Sequence, residues 1–318
     1  MIGLTADSVQ AIHKPFMQEK LTVRFWGVRG SIACPGLHTV RYGGNTPCVE
    51  VQAGHQKFIF DGGTGLRVLG QELLKHLPVE AHIFFSHTHW DHIQGFPFFA
   101  PAFMPGNRFH IYGTRGSDGK TIEKRLTDQM LHPNFPVPLQ IMGGSLDFYD
   151  LEAGQTVEVE DITIRNAILN HPGGSIGYRL EWQGLTVSYI TDTEHFPDAL
   201  DPNVLALADQ AHVLIYDATY TDAEYHEAGN SKVGWGHSTW QEAIKIAEAA
   251  KVDQLVLFHH DPLHNDVFLD DIGRKAGHRF TNSIIAQEGL SITLTPNGQS
   301  SLQYAELGRA ISSVPDRA

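Results

Sequence analysis

One short stretch constrains this chain more than any other. Ser86-His-Thr-His-Trp-Asp-His places His87, His89, Asp91 and His92 within six positions, directly after the apolar run His82-Ile-Phe-Phe. Such a run, bounded by turn residues, predicts a buried strand. If the chain leaves that strand and turns into a helix, three imidazoles and a carboxylate converge on one mouth. Those ligand types suit zinc or another first-row divalent ion. A purely structural role would require every ring nitrogen to find a partner at a strand end, because unpaired buried polar atoms are costly. Only Cys34 and Cys48 are present, so no Cys-x-x-Cys knuckle exists and any metal must be held by nitrogen and oxygen. The 19 histidines are the one unusual entry in the composition.

Around this stretch the chain alternates strands and helices. Residues 1–20 carry no sustained period and read as an N-terminal arm, with a single domain expected over 21–318. Leu21-Thr-Val-Arg-Phe-Trp and Pro47-Cys-Val-Glu-Val alternate, and Lys57-Phe-Ile-Phe stops at Asp61-Gly-Gly-Thr-Gly. Leu66, Leu69, Leu73 and Leu77 fall at helical spacing before Pro78. Residues 95–150, rich in Pro, Phe and Gly, read as an elaborated loop region or small insertion with a helix around Thr121 to Leu131. Alternation returns at Thr156 to Ile164, Ile176 to Leu180 and Leu185 to Ile190, the last two joined by a Gln183-Gly184 hairpin. Val213-Leu-Ile-Tyr and Leu255-Val-Leu-Phe flank a helix expected over Ser238 to Ala250, the pattern of buried strands in an α/β unit. Leu290 to Leu294 and Ser301 to Tyr304 are expected to pair across Pro296-Asn-Gly.

His87-x-His89-x-Asp91-His92 resembles the signature of the metallo-β-lactamase fold, and further matches extend the resemblance from Leu21 to about Pro262. The resemblance implies a four-layered αββα sandwich of the α/β class. Asp61-Gly-Gly-Thr-Gly resembles the family's first motif, whose carboxylate braces the histidine loop without binding metal. His171 fits the third motif, Asp192 in Tyr189-Ile-Thr-Asp-Thr resembles the bridging carboxylate, and His259 after Leu255-Val-Leu-Phe resembles the last ligand. His260 follows directly; two adjacent residues leaving a strand point to opposite faces, so His259 is taken as the ligand and His260 as support. The implied arrangement gives one ion to His87, His89 and His171, the other to Asp91, His92 and His259, and shares Asp192. Two divalent ions follow, zinc first and manganese or iron as alternatives, with a bridging hydroxide as the nucleophile.

The fold hosts several hydrolytic chemistries, so other residues must choose the reaction. His171-Pro-Gly-Gly-Ser-Ile-Gly-Tyr-Arg, Tyr216-Asp-Ala-Thr-Tyr and Gly236-His-Ser-Thr resemble motifs of the tRNase Z branch, with Asp217 where that branch has glutamate. Ser238 followed by Gln241 reads as a capping box, placing His237 just before a helix N-terminus that welcomes a phosphate oxygen. Held by Asp217, His237 could protonate a leaving oxygen; Asp91, His237 and Asp217 are the expected catalytic groups. Arg29 and Arg41, in glycine-rich loops, are candidate phosphate contacts. Phe96, Phe98, Phe99 and Phe103 offer either a base-stacking wall or a packed loop core.

Phe25-Trp-Gly-Val-Arg-Gly-Ser and Arg41-Tyr-Gly-Gly-Asn-Thr-Pro-Cys depart from the tRNase Z opening and look more like bacterial cyclic-nucleotide phosphodiesterase-like relatives. The formal charge of −13 disfavours a long polyanion. The expectation is therefore a dinuclear metal-dependent phosphodiesterase for a small nucleotide or related diester. A tRNA 3′-end endonuclease is the runner-up, and a lactone or thioester hydrolase is a further alternative. Long nucleic acid and membrane are not expected partners, and a homodimer is left open. No apolar run approaches the roughly 20 residues that span a bilayer, and the opening residues lack a secretory pattern, so the expected location is cytoplasmic.

Overall fold

The computed structural model describes residues 20–116, 118–296 and 300–304. All but the last residue of the expected arm lie outside them, as do residues 297–299 of the expected C-terminal hairpin. Two sheets face each other. The first has the order β15 (Ser300–Tyr304), β14 (Leu290–Leu294), β1 (Leu21–Gly27), β2 (Cys48–Ala53), β3 (Gln56–Phe60), β4 (Glu80–Phe84), β5 (Arg108–Thr114) and β6 (Ser145–Leu151). The second runs β13 (Ser283–Ile285), β12 (Gln254–Phe258), β11 (Val213–Asp217), β10 (Leu185–Ile190), β9 (Ser175–Trp182), β8 (Ile162–Leu169) and β7 (Thr156–Val159).

The inward rows of both sheets fuse into one core. Phe25, Phe58, Phe60 and Phe84 meet Tyr178, Val187, Ile215 and Phe258. Helices α1 (Thr64–Leu73) and α3 (Ile122–Gln129) cover the outer face of the first sheet through Leu66, Leu69 and Leu126. Helices α4 (Pro202–Ala208), α6 (Trp240–Ala250) and α7 (Asp266–Arg279) cover the second. Two single-turn helices, α2 (Trp90–Ile93) and α5 (Asp222–Tyr225), complete the set. The layers are therefore helix, sheet, sheet, helix. Strands β11 and β12 are buried along both faces because helices and the facing sheet enclose them, which is why they read as unbroken apolar runs.

The region 95–150 is not a loop insertion. It contributes β5 and β6, which extend the first sheet in parallel register from Glu80↔Arg108 and Arg108↔Ser145. Single turns at Phe96–Phe98 and Ala100–Phe103 precede β5, and one at Leu139–Ile141, capped by Pro138, precedes β6; with their prolines they interrupt the period. The single strand expected at Thr156 to Ile164 is a hairpin of β7 and β8, turned at Glu160 with φ 53°. The helix expected from Ser238 begins at Trp240: Thr239 is its cap, accepting from the Glu242 N–H. Ser238 instead donates to the Thr193 carbonyl, and Gln241 accepts from the Asp222 N–H.

Topology then fixes the site. Strands β3 and β4 are parallel, as are β10, β11 and β12, and β8 runs with them through the antiparallel β9. Their C-terminal ends therefore open on one rim, the usual place for a site in α/β sheets. Among the described residues, no helix is long and apolar enough to cross a membrane.

Candidate metal centre

Each strand end delivers its own residue to the rim: Asp61 after β3, His87 to His92 after β4, His171 after β8, Asp192 after β10, Asp217 closing β11, and His259 after β12. Three of these leave their strands in the left-handed region, Asp61 at φ 61°, Asp192 at φ 52° and His259 at φ 63°. That conformation is uncommon for residues with a Cβ and persists where surrounding contacts impose it.

The seven expected ligand side chains converge as two overlapping groups. In the first, His89 Nδ1 lies 2.9 Å from His87 Nε2 and 3.1 Å from His171 Nε2, while Asp192 Oδ2 stands 3.5 and 3.6 Å from His87 and His171. In the second, Asp192 Oδ1 lies 3.2 Å from His92 Nε2 and 3.1 Å from His259 Nε2. Asp91 Oδ2 lies 3.2 and 3.3 Å from the same two nitrogens. Thus the two oxygens of Asp192 serve different groups. Ligands bound about 2.0–2.1 Å from one tetrahedral zinc stand roughly 3.3 Å from one another, so these spacings fit a divalent cation at each centre.

The hydrogen-bond network supports that fit, because it assigns the protons of four rings to their outer nitrogens. His92 Nδ1 donates to Asp61 Oδ2 at 2.8 Å, His87 Nδ1 to Ser86 Oγ at 3.0 Å, His171 Nδ1 to the Gly236 carbonyl at 2.8 Å and His259 Nδ1 to Thr219 Oγ1 at 3.1 Å. Their Nε2 lone pairs then face inward, an arrangement that a cation stabilises and that hydrogen bonds alone cannot satisfy. Asp61 is the hub: fully buried, it also accepts from the Ser86 N–H, the Ser86 hydroxyl and Tyr189 Oη at 2.7–2.8 Å. Charge is held unevenly. Burial keeps His87 well below the usual histidine range, whereas without a cation His92, against the same burial, is held well above it by Asp192, Asp91 and Asp61, so that a cation would take the place of the proton on its Nε2.

His237 stands over both groups, its ring 5.0 Å from that of His259 and 5.3 Å from that of His171. Its Nδ1 donates directly to Asp217 Oδ2 at 2.8 Å, so the shorter carboxylate needs no intervening water. Asp217 is itself fixed by the N–H groups of Thr193 and Thr219 and by the Thr219 hydroxyl. Burial opposes a charge on His237, but Asp217 outweighs it and raises its pKa to about 9. The loop carrying His237 is anchored by Glu194, which accepts from Gly234 N, Gly236 N and Tyr225 Oη. Gly236 cannot carry a side chain, since its φ is 85° and a Cβ would lie 2.3 Å from His171 Nδ1.

Of the remaining candidates, the two arginines need correction. Arg29 is not a phosphate contact: it is fully buried, and its guanidinium donates to the carbonyls of Gly43, Asp261 and His264. It secures the turn whose Ser31 N–H donates to Asp91 Oδ2 at 2.7 Å. Arg41 pairs with Asp270 in a two-pronged ion pair at 2.6–3.0 Å and is not among the residues lining the opening over the ligand groups. His260 points away from the cluster, bonded to the Ala286 carbonyl, and burial lowers its pKa to about 3. Phe96 and Phe99 are core residues, not a stacking wall, while Phe98 packs edge-on against Phe135. Ser31, Ser86, Tyr189, Glu194 and Thr219 were not singled out in the sequence. Thr219 and Glu194 had a signal, each lying two residues beyond a candidate carboxylate; the others act through backbone geometry or long-range pairing that no spacing displays.

Residues 56–260 match the profile of a family described as the Beta-lactamase superfamily domain. Ribonuclease Z of Exiguobacterium sibiricum is 28% identical over 253 residues, covering 64% of this chain and 78% of that protein. Ribonuclease Z of Picrophilus torridus is 26% identical over 320 residues, covering 87% and 97%. Among solved structures, a diphosphatase of the PhnP family aligns with TM-score 0.62 at 19% identity, over 87% of this chain and 98% of its own. That last likeness establishes the fold.

Proposed function

The chain belongs to the beta-lactamase superfamily and is a metal-dependent hydrolase, and from that premise we propose that it cleaves a small, nucleotide-like phosphodiester. Two divalent ions, zinc first, would be held by His87, His89 and His171 and by Asp91, His92 and His259, with Asp192 common to both. When bound, they supply Lewis acidity and an activated water. The observation that carries the reading is the His237–Asp217 pair. An imidazole that rests on a buried carboxylate beside the two groups is placed to give its Nε2 proton to a leaving oxygen, which an alkoxide needs. Asp217 keeps that proton on the ring and fixes its orientation.

The mouth favours a short substrate. Its lining residues, Ser31, Thr88, His89, Trp90, Asp91, Asp192 and His237, include no lysine or arginine, and the whole chain carries −13. Relatives named Ribonuclease Z support a second reading, cleavage of a tRNA precursor. A hydrolysis screen with metal-replete protein separates the two. Cyclic nucleotides, dinucleotides and bis(p-nitrophenyl) phosphate are expected to turn over, with p-nitrophenyl phosphate much slower because its extra charge meets Asp91, Asp192 and Asp217. Monoester turnover at the same rate, or preference for a tRNA precursor, would overturn the small-diester reading.

A further inference from the structure

Beside the mouth lies a larger cleft of about 1060 Å³ that shares its Thr88 and His89 wall. It is bigger than a cyclic mononucleotide requires, since pockets of roughly 300–1,000 Å³ take whole drug-sized ligands. Its cations are Arg115 and Arg125, from the β5–α3 segment. Arg125 is aimed toward the metal rim: one amino group stands 3.5 Å from Thr88 Oγ1, between the two ligand histidines, and the other donates to Asp118 at 2.6 Å. Gly116 is what admits it, because a Cβ there would lie 1.5 Å from the guanidinium.

Arg125 can change partner at little cost. Asp118 is 46% exposed and keeps the Lys120 N–H on the same oxygen, so it regains water when Arg125 leaves. Asp150, paired with Arg115 at 2.8 Å, keeps its bond from the Ile122 N–H. A guanidinium freed this way presents a fork suited to phosphate oxygens. Ser175, in the same wall, has a buried hydroxyl without a partner among the described residues.

We infer that this cleft is a second anion subsite, so that the preferred substrate is a phosphodiester bearing an additional terminal phosphate, held by Arg125 with Arg115 assisting. The inference rests on the phosphodiesterase reading and names its substrate class. It explains how a strongly acidic protein can retain a ligand with two separate phosphate groups at a mouth that has no cation of its own.

The test compares the dinucleotides pApA and ApA on metal-loaded protein. The wild-type chain is expected to favour pApA in kcat/KM, and Arg125→Gln to lower the pApA-to-ApA ratio about 10- to 100-fold, mainly through KM. Arg115→Gln should shift the ratio in the same direction by less. A ratio is insensitive to the folded fraction, so a poorly folding variant still reports. An unchanged ratio in Arg125→Gln, or wild-type preference for ApA, would overturn the subsite. Calorimetric binding of the same dinucleotides reads the ratio independently: absence of all hydrolysis would count against the phosphodiesterase reading, while binding still decides the subsite.

Discussion

The two ligand groups share one carboxylate and differ in almost everything else. In the group of His87, His89, His171 and Asp192, His89 is exposed although the His171 side chain is only 2% exposed, and the group borders both the mouth and the cleft. In the group of Asp91, His92, Asp192 and His259 every member is buried. The second is also the better braced: Asp61 holds His92, Thr219 holds His259, and the Ser31 N–H holds Asp91. Outer hydrogen bonds of this kind orient ligands and raise their basicity. If each group holds a cation as proposed, the contrast predicts a closed site suited to retention and an open site suited to access, joined by Asp192.

Removing that joint should have the largest effect. Asp192→Ala is expected to empty both groups, taking bound metal from two ions per chain toward none and turnover to background. Loss of a single ion by elemental analysis would place the bridge elsewhere. Next comes His237→Ala, with both ions retained. Turnover of a diester with a ribose leaving group should fall about 100- to 10,000-fold, whereas a nitrophenolate ester, which leaves without a proton, should be affected far less. Because His237 and Asp217 also lie within 4.8 Å of Asp192 and His259, loss of metal from this variant would instead make His237 a ligand.

Asp61→Asn sharpens the comparison itself. Its amide would oppose a donor to the His92 N–H, so metal affinity of the closed group should fall about 10- to 100-fold while the open group keeps its ion. Equal weakening of both would show that Asp61 braces the whole rim. The smallest effect is a pH dependence. The His237 pKa of about 9 exceeds the ordinary 6.5, so its pairing with Asp217 stabilises the fold fully below pH 6.5 and is lost as pH rises through about 9. In metal-stripped protein, Asp217→Asn should flatten the Tm curve across that window; an unchanged slope would assign the dependence to another group.

The sequence alone determined those strands that carry an unbroken apolar run or a clean alternation, and the candidate ligands. Unbroken apolar runs at β4, β11 and β12 are legible because buried strands need no polar face, and His87, His89, Asp91 and His92 are legible because four ligand-type residues crowd one strand end. Where the period is interrupted the elements are not legible: β5 and β6 follow turns that carry proline, and α7 shows no clear apolar stripe. The C-terminal pairing of β14 with β15 was readable from alternation.

Tertiary structure decided the rest, for reasons of distance along the chain. Asp61, Tyr189 and His92 meet across as many as 128 residues, and which ring nitrogen each histidine turns inward depends on partners such as Thr219 and Gly236, 40 and 65 residues away. Arg29 shows the same limit from the other side. A glycine-rich loop and an arginine read equally well as a phosphate contact or a buried clasp, and only the carbonyls of Gly43, Asp261 and His264, brought together by folding, settle which it is. Local sequence carries chemical type and period; proton placement, charge and access arise from contacts that exist only once both sheets have closed over one core.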